Sequence, residues 1–267
     1  MSLELAQSVH EILEKVSVQT GKRVEFIEKS DLPTFAAIKL ARNNMPAHLI
    51  FYRAKHDDLI NHLISHECGH ALRMFGVQLQ KRLMPITDDQ IKLMALTEIE
   101  SEVQRLSSVL PFDQLAKVVN MWYVGLVRQL TNFPPDIMIE KWLYNDYPQL
   151  RPYQLLSIQR QLQEALPGLS RRVLDMTPRK ILVASNVMNY AFFRMLGQHF
   201  GVNYVRRYER TSYLTKGSQL VSITEAYVDT YEGDVDMINK WAEFLGLSKW
   251  FTWRDFENVP PGYEREF

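Results

Sequence analysis

The pentapeptide His66-Glu67-Cys68-Gly69-His70 has the residue types and spacing of HExxH, a pattern whose two histidines grip one divalent cation while its glutamate serves the water beside it. Residues four apart are separated by only about 40° around a helix, so both imidazoles reach one point. Glu67, about 100° from His66, meets the water without joining the ligands. The expected cofactor is Zn2+, with His66 and His70 as ligands and Glu67 as catalytic base. The expected reaction is hydrolysis of a peptide bond, with a protein or peptide as substrate.

The elements around the motif must place it in mid-helix. Leu59, Leu63, Ala71, Met74 and Phe75 recur at helical spacing with no proline between them, which predicts a helix over residues 58–76 with Asp57 or Asp58 as N-cap. Upstream, residues 47–53 read as a strand, preceded by the turn signal Asn43-Asn44-Met45-Pro46 and an alternating run at 35–40.

A catalytic zinc commonly takes three protein ligands, so a third must come from elsewhere. Thr87-Asp88-Asp89-Gln90 reads as a capping box that opens a helix running to about Leu110. Its core stripe is centred on Ile99. Glu98 and Glu102 share one flank of that stripe and Glu100 lies on the other, which makes Glu98 the expected ligand and Glu102 a carboxylate for a ligand histidine. Glu140 is the rival. It lies one turn beyond Asp136 in a helix expected to start after Pro134-Pro135, where Asp136 reads as an N-cap or first-turn acid.

The order of helix, short strands, HExxH helix, and then a helix carrying Glu98-Ile99-Glu100-Ser101-Glu102 and ending Val109-Leu110-Pro111 resembles the ImmA/IrrE-like metallopeptidases, zincins of the gluzincin type. The resemblance covers residues 1–112. It implies His66, His70 and Glu98 as metal ligands, Glu67 as the base, and a protein substrate. Ser101 and Glu102 stand where that family usually has Ala and Asn or Asp, and Gln104-Arg105 replaces its Phe-Ala.

Other residues read more quietly. Cys68 points about 200° away from the histidines, into packing. Gly69 costs about 1 kcal/mol in a helix interior and signals a close neighbour, expected to be a strand. His62, one turn before His66, could reach the rim of the metal but is expected to be a partly exposed or core histidine, while His199 and Tyr190 are candidates for a transition-state donor.

Of the 267 residues, 46% are apolar and 11% aromatic, enough for a substantial core. Net charge is zero, which argues against nucleic acid as a partner, and Arg171-Arg172 and Arg206-Arg207 are too short to reverse that. A single cysteine, no leader-like N-terminus and no long apolar run predict a cytoplasmic protein with no membrane association.

The expected fold is α+β and mainly helical: a zincin-like core over 1–112 with a small N-terminal sheet beside the HExxH helix, and a mostly helical region over 113–267 that completes or covers the cleft. Helices are predicted over 113–130, 136–144, 153–166, 178–200 and 235–245, with short strands near Lys216-Gly217. Trp241, Phe244, Trp250, Phe251, Trp253 and Phe256 are expected in the core. The competing expectation is a non-catalytic regulatory or binding protein that keeps the scaffold and meets a regulatory partner through its C-terminal helices.

Overall fold

The computed structural model describes residues 3–108 and 111–263, which form ten α-helices and five short strands. The fold is mainly helical with a small sheet. Strands β1 (Arg23–Glu28), β2 (Ala36–Lys39) and β3 (Ala47–Tyr52) lie in the order β1-β3-β2, with β1 parallel and β2 antiparallel to β3. The turn before β3 contains Asn43 at φ 52°, a left-handed conformation that asparagine tolerates better than most residues. Helices α1 (Gln7–Thr20) and α2 (Ile60–Phe75) close a first core, in which Val9, Ile12 and Val16 meet Ile50, Ile64 and Cys68. Helix α2 carries HExxH in its interior, as expected, but it is entered through a 3-10 turn over Ala54–Leu59, with no side-chain cap at Leu59. Asp58 instead pairs with Arg160, and the side chain of Asp57 lies outside the described residues.

The helix expected from the capping box to Leu110 is two helices, α3 (Asp89–Thr97) and α4 (Glu100–Ser107). Asp88 does cap α3, accepting from the Ile91 N–H at 2.8 Å. The chain turns at Glu98 and Ile99, so angles counted across them on one helix do not hold; Leu110 lies outside the described residues. By contrast, α5 (Phe112–Asp146) runs unbroken through Pro134-Pro135, where a helix start was expected. Each interior proline costs about 3 kcal/mol, and burial on both sides offsets it. Leu130, Ile137 and Met138 enter a large second core, while Ile139 and Leu143 enter the first. The two cores therefore meet along α5.

Helices α6 (Arg151–Ala165), α7 (Arg171–Met176), α8 (Arg179–Phe200), α9 (Leu214–Glu225) and α10 (Tyr231–Leu245) complete the second half. The strands expected near Lys216-Gly217 are instead part of α9. Gly217 sits there because a Cβ would lie 2.3 Å from Tyr190 Cδ1, so only glycine lets α9 and α8 approach so closely. Trp241, Trp250, Phe251 and Phe256 are buried as expected, whereas Phe244 and Trp253 are only partly covered. A second sheet pairs β4 (Leu83–Ile86) antiparallel with β5 (Thr252–Asp255), bringing the C-terminal part back to the loop after α2. Buried Arg42 fixes it, donating to the carbonyls of Val259, Pro260 and Tyr263. Among the described residues, no helix is long and apolar enough to cross a membrane.

Gly69 marks the crossing of α2 and α5, so its close neighbour is a helix and not the expected strand. A Cβ there would lie 2.6 Å from Ile139 Cγ2. Gly69→Ala should therefore destabilise the protein by about 1–3 kcal/mol in urea unfolding despite alanine's better helix propensity, and the same change should cost less in an Ile139→Ala background, which lacks the γ carbons that a Cβ at 69 would meet. A neutral or stabilising Gly69→Ala would show that the two helices are free to move apart.

His48 on β3 gives a pH prediction. Its Nδ1 accepts from the Ala41 N–H at 3.0 Å, so the proton sits on Nε2, 3.0 Å from Thr20 Oγ1. Burial, and secondarily the Lys22 charge, push its pKa from 6.5 to about 4. Between these values the unfolded chain binds a proton that the folded chain refuses. Stability is therefore whole above pH 6.5 and falls as pH drops towards 4. Wild type should lose about 2–3 kcal/mol more than His48→Gln between pH 7 and 4.5. Equal losses in urea titrations would remove His48 as the cause.

Candidate metal centre

Helix α2 presents His62, His66 and His70 at intervals of four residues, and α5, packed across it at Gly69, presents Asp136 and Glu140 at the same interval. One-turn spacing on both helices stacks the groups into a ladder. Asp136 Oδ1 lies 3.4 Å from His66 Nε2 and 3.2 Å from His70 Nε2. Behind His66, Glu140 Oε1 is 2.8 Å from the ring's Nδ1. Glu140 also meets His62 Nε2 at 3.0 Å through both oxygens and accepts from Gln154 Nε2.

Among the described residues, two groups of side chains bring their ligand atoms within 4.8 Å of one another and could hold a metal ion: His66, His70 and Asp136, and the more buried His62, His66 and Glu140. They differ in how far their acceptors are already satisfied. Glu140 is completely buried and held by His62, His66 and Gln154. Asp136 Oδ1 is also buried, yet neither nearby ring nitrogen makes a hydrogen bond of acceptable geometry to it. An acceptor so placed is costly, and a cation between the three atoms would satisfy it. The residues present therefore fit a metal ion.

The charges agree with this geometry. Burial alone would push the His66 ring towards neutrality, but Asp136 and Glu140 outweigh it and hold its pKa well above the usual value. Both carboxyls stay ionised. Against the cost of burial, His66 and His70 hold Asp136 below the ordinary range, and His62 and His66 do the same for Glu140. Without an ion, a proton on His66 supplies the positive charge the site attracts. Glu67 behaves oppositely: burial raises its carboxyl although His66 and His70 pull it down, and the backbone of Ile38 on β2 hydrogen-bonds to it. A carboxylate moved towards neutral pH is better matched to taking a proton than an exposed one.

The acidic helix read from the sequence does not join this site. The expected third ligand, Glu98, ion-pairs with Lys180 and accepts from Trp250 Nε1 at 3.1 Å, and it belongs to neither ligand group. The break between α3 and α4 turns its carboxylate towards α8 and the second core. Glu102 accepts from the Arg179 N–H at 2.7 Å at the start of α8, and Glu100 from Gln104. Asp136 is not an N-cap, because α5 has no end there. His62 is buried, as the core reading had it, hydrogen-bonded to Glu140, and a member of the deeper group that could hold a metal. Cys68 packs in the first core, and burial pushes its thiol far up, so it is not a reactive thiol. Tyr190 lies against Gly217 and Ser218, and His199 against Asn145 and Tyr144, so neither reaches the site.

A cleft of about 530 Å³ opens over the centre, with His66, Glu67, His70 and Asp136 in its wall, edge strand β2 along one side and one face of α5 along another. Beside His70, Arg73 of α2 forms a two-point ion pair with buried Asp234 of α10 at 2.6 and 2.7 Å, tying the second core to the HExxH helix. Sequence reasoning missed these cleft residues. The available signal was the spacing of Gly125, Arg128, Gln129, Asn132 and Asp136, which lie on one helical face only if the helix passes through Pro134-Pro135. No family model, no curated protein and no solved structure matches this chain.

Proposed function

We propose that this protein is a zinc-dependent metallopeptidase in which His66, His70 and Asp136 hold the ion. The observation that carries the reading is the buried, unsatisfied Asp136 Oδ1 facing two imidazole nitrogens, with Glu67 next to them on the cleft wall. When bound, zinc supplies Lewis-acid chemistry, making water easier to deprotonate and a carbonyl easier to attack. Glu67 takes the proton of the attacking water on its carboxylate and delivers it to the leaving amine nitrogen. Glu140 accepts the Nδ1 proton of His66, leaving Nε2 free to ligate, and His62 and Gln154 hold Glu140 in place. An extended peptide backbone suits the edge of β2, which runs along the cleft beside Glu67.

The HExxH helix beside a small sheet supports a zincin-type core. The third ligand coming from α5 departs from the glutamate helix of the ImmA/IrrE-like enzymes. The proposal is tested by elemental analysis of protein purified without added metal, together with digestion of a fluorogenic peptide mixture. About one zinc per chain is expected, with cleavage lost on chelation and restored by zinc. A metal content near zero that zinc addition does not raise would sink the reading.

A further inference from the structure

We propose that Gly125 keeps open a remote subsite of the cleft, which makes the substrate an extended chain held over about five residues on one side of the bond attacked. This rests on the peptidase reading and adds the substrate's length and conformation to it.

Five glycines lie inside α-helices among the described residues, each at a cost of about 1 kcal/mol relative to alanine. Four have a packing reason. A Cβ would lie 2.6 Å from Ile139 at Gly69, 2.4 Å from the Val202 carbonyl oxygen at Gly197, 2.3 Å from Tyr190 at Gly217 and 2.1 Å from the Val228 carbonyl oxygen at Gly233. Gly125 has no such reason: a Cβ there would meet nothing within 4 Å among the described residues. It stands well inside α5, where no helix cap requires a glycine. Yet Gly125 lines the cleft, so what its missing side chain leaves is room for something that enters there.

Gly125, Gln129, Asn132 and Asp136 lie within about 60° of one another around α5, and all four line the cleft. Asp136, against His66 and His70, is one end of this row, and Gly125 is the other. Eleven residues of helix separate the two by about 16 Å, the reach of five residues of extended peptide. Five residues coiled as a helix would cover only about 7.5 Å, and a tripeptide cannot touch both ends in any conformation. Between the ends, Gln129 is fixed by donating to the Ser185 carbonyl and Asn189 Oδ1, so a chain following the row meets a wall already in position. At Gly125 the helix backbone is itself the floor, and a substrate residue can rest where a side chain would hold it off.

The experiment uses mixtures of randomised peptides four to twelve residues long, titrated by fluorescence anisotropy onto zinc-loaded Glu67→Gln protein and digested by wild type, with mass spectrometry locating the bonds cut. Peptides that extend five residues from the bond on one side are expected to bind and be cleaved about tenfold or more better than those extending three, with no gain beyond about six. In Gly125→Trp the ratio of long-peptide to short-peptide rates should fall by about tenfold. Gly125→Ala should show a smaller fall together with a higher midpoint in urea, a combination that damage to the fold does not produce.

Binding and cleavage indifferent to length, a length ratio unchanged in Gly125→Trp, or no binding at any length overturns the inference. So does a loss in Gly125→Trp that is equal at all lengths, and a lowered urea midpoint in Gly125→Ala would show that the space is already filled. If circular dichroism shows Gly125→Trp unfolded, Gly125→Leu decides by the same ratio. Length-dependent binding that the substitution abolishes, without cleavage by wild type, leaves the subsite standing and removes the peptidase reading. Cleavage at a rate indifferent to length does the reverse.

Discussion

Glu67→Gln is expected to lower kcat by about 10²–10⁴-fold while the protein keeps its metal, fold and affinity for peptide. The amide closely matches the carboxylate in size and can still meet the backbone at Ile38, but it cannot take a proton from water. Because Glu67 lies in neither ligand group, its loss should leave zinc content near one per chain. Single-turnover digestion alongside elemental analysis separates the effects. Unchanged cleavage would remove Glu67 from the reaction, and lost metal would make it a ligand. A biological role that survives the substitution would favour a binding protein on this scaffold.

The second large effect concerns the ligand set. Asp136→Ala should abolish zinc retention through dialysis, since it removes one of three protein ligands and leaves two histidines facing a void. Glu140→Gln should weaken zinc affinity by about 10–100-fold, because an amide can still accept from His66 Nδ1 but orients the ring less firmly. Glu98→Gln should leave zinc untouched and cost only some stability through its contacts with Lys180 and Trp250. Competition titrations against a chromophoric chelator give all three values. If Glu140→Gln loses the ion completely while Asp136→Ala keeps it, the ion belongs to the deeper group of His62, His66 and Glu140.

The comparison of Glu98 with Asp136 shows how far sequence reasoning reached. HExxH was legible because its chemistry is local: one helix sets the angles among His66, Glu67 and His70, and the apolar residues around them identify that helix. The edge strand and turn before it were legible for the same reason, through alternation and the Asn43–Pro46 signal. Which acid meets the histidines depends on where two helices cross, which no local period encodes. At Glu98 the chain has good helix formers on both sides yet turns, because Ile99 is drawn into the second core. At Pro134-Pro135 it has the strongest local stop signal yet continues, because burial on both faces outweighs the lost hydrogen bonds.

The sequence by itself thus determined the helix that carries HExxH and the angles among its groups: two imidazoles one turn apart and a carboxylate beside the first. Tertiary structure alone decided that Asp136 and Glu140, and not Glu98, lie against the histidines, and what holds His66 from behind. Spacing along one helix is set by its own backbone geometry. Contacts between helices are set by the packing of side chains distant in sequence, as where Gly69 admits Ile139 and brings Asp136 up to the histidines.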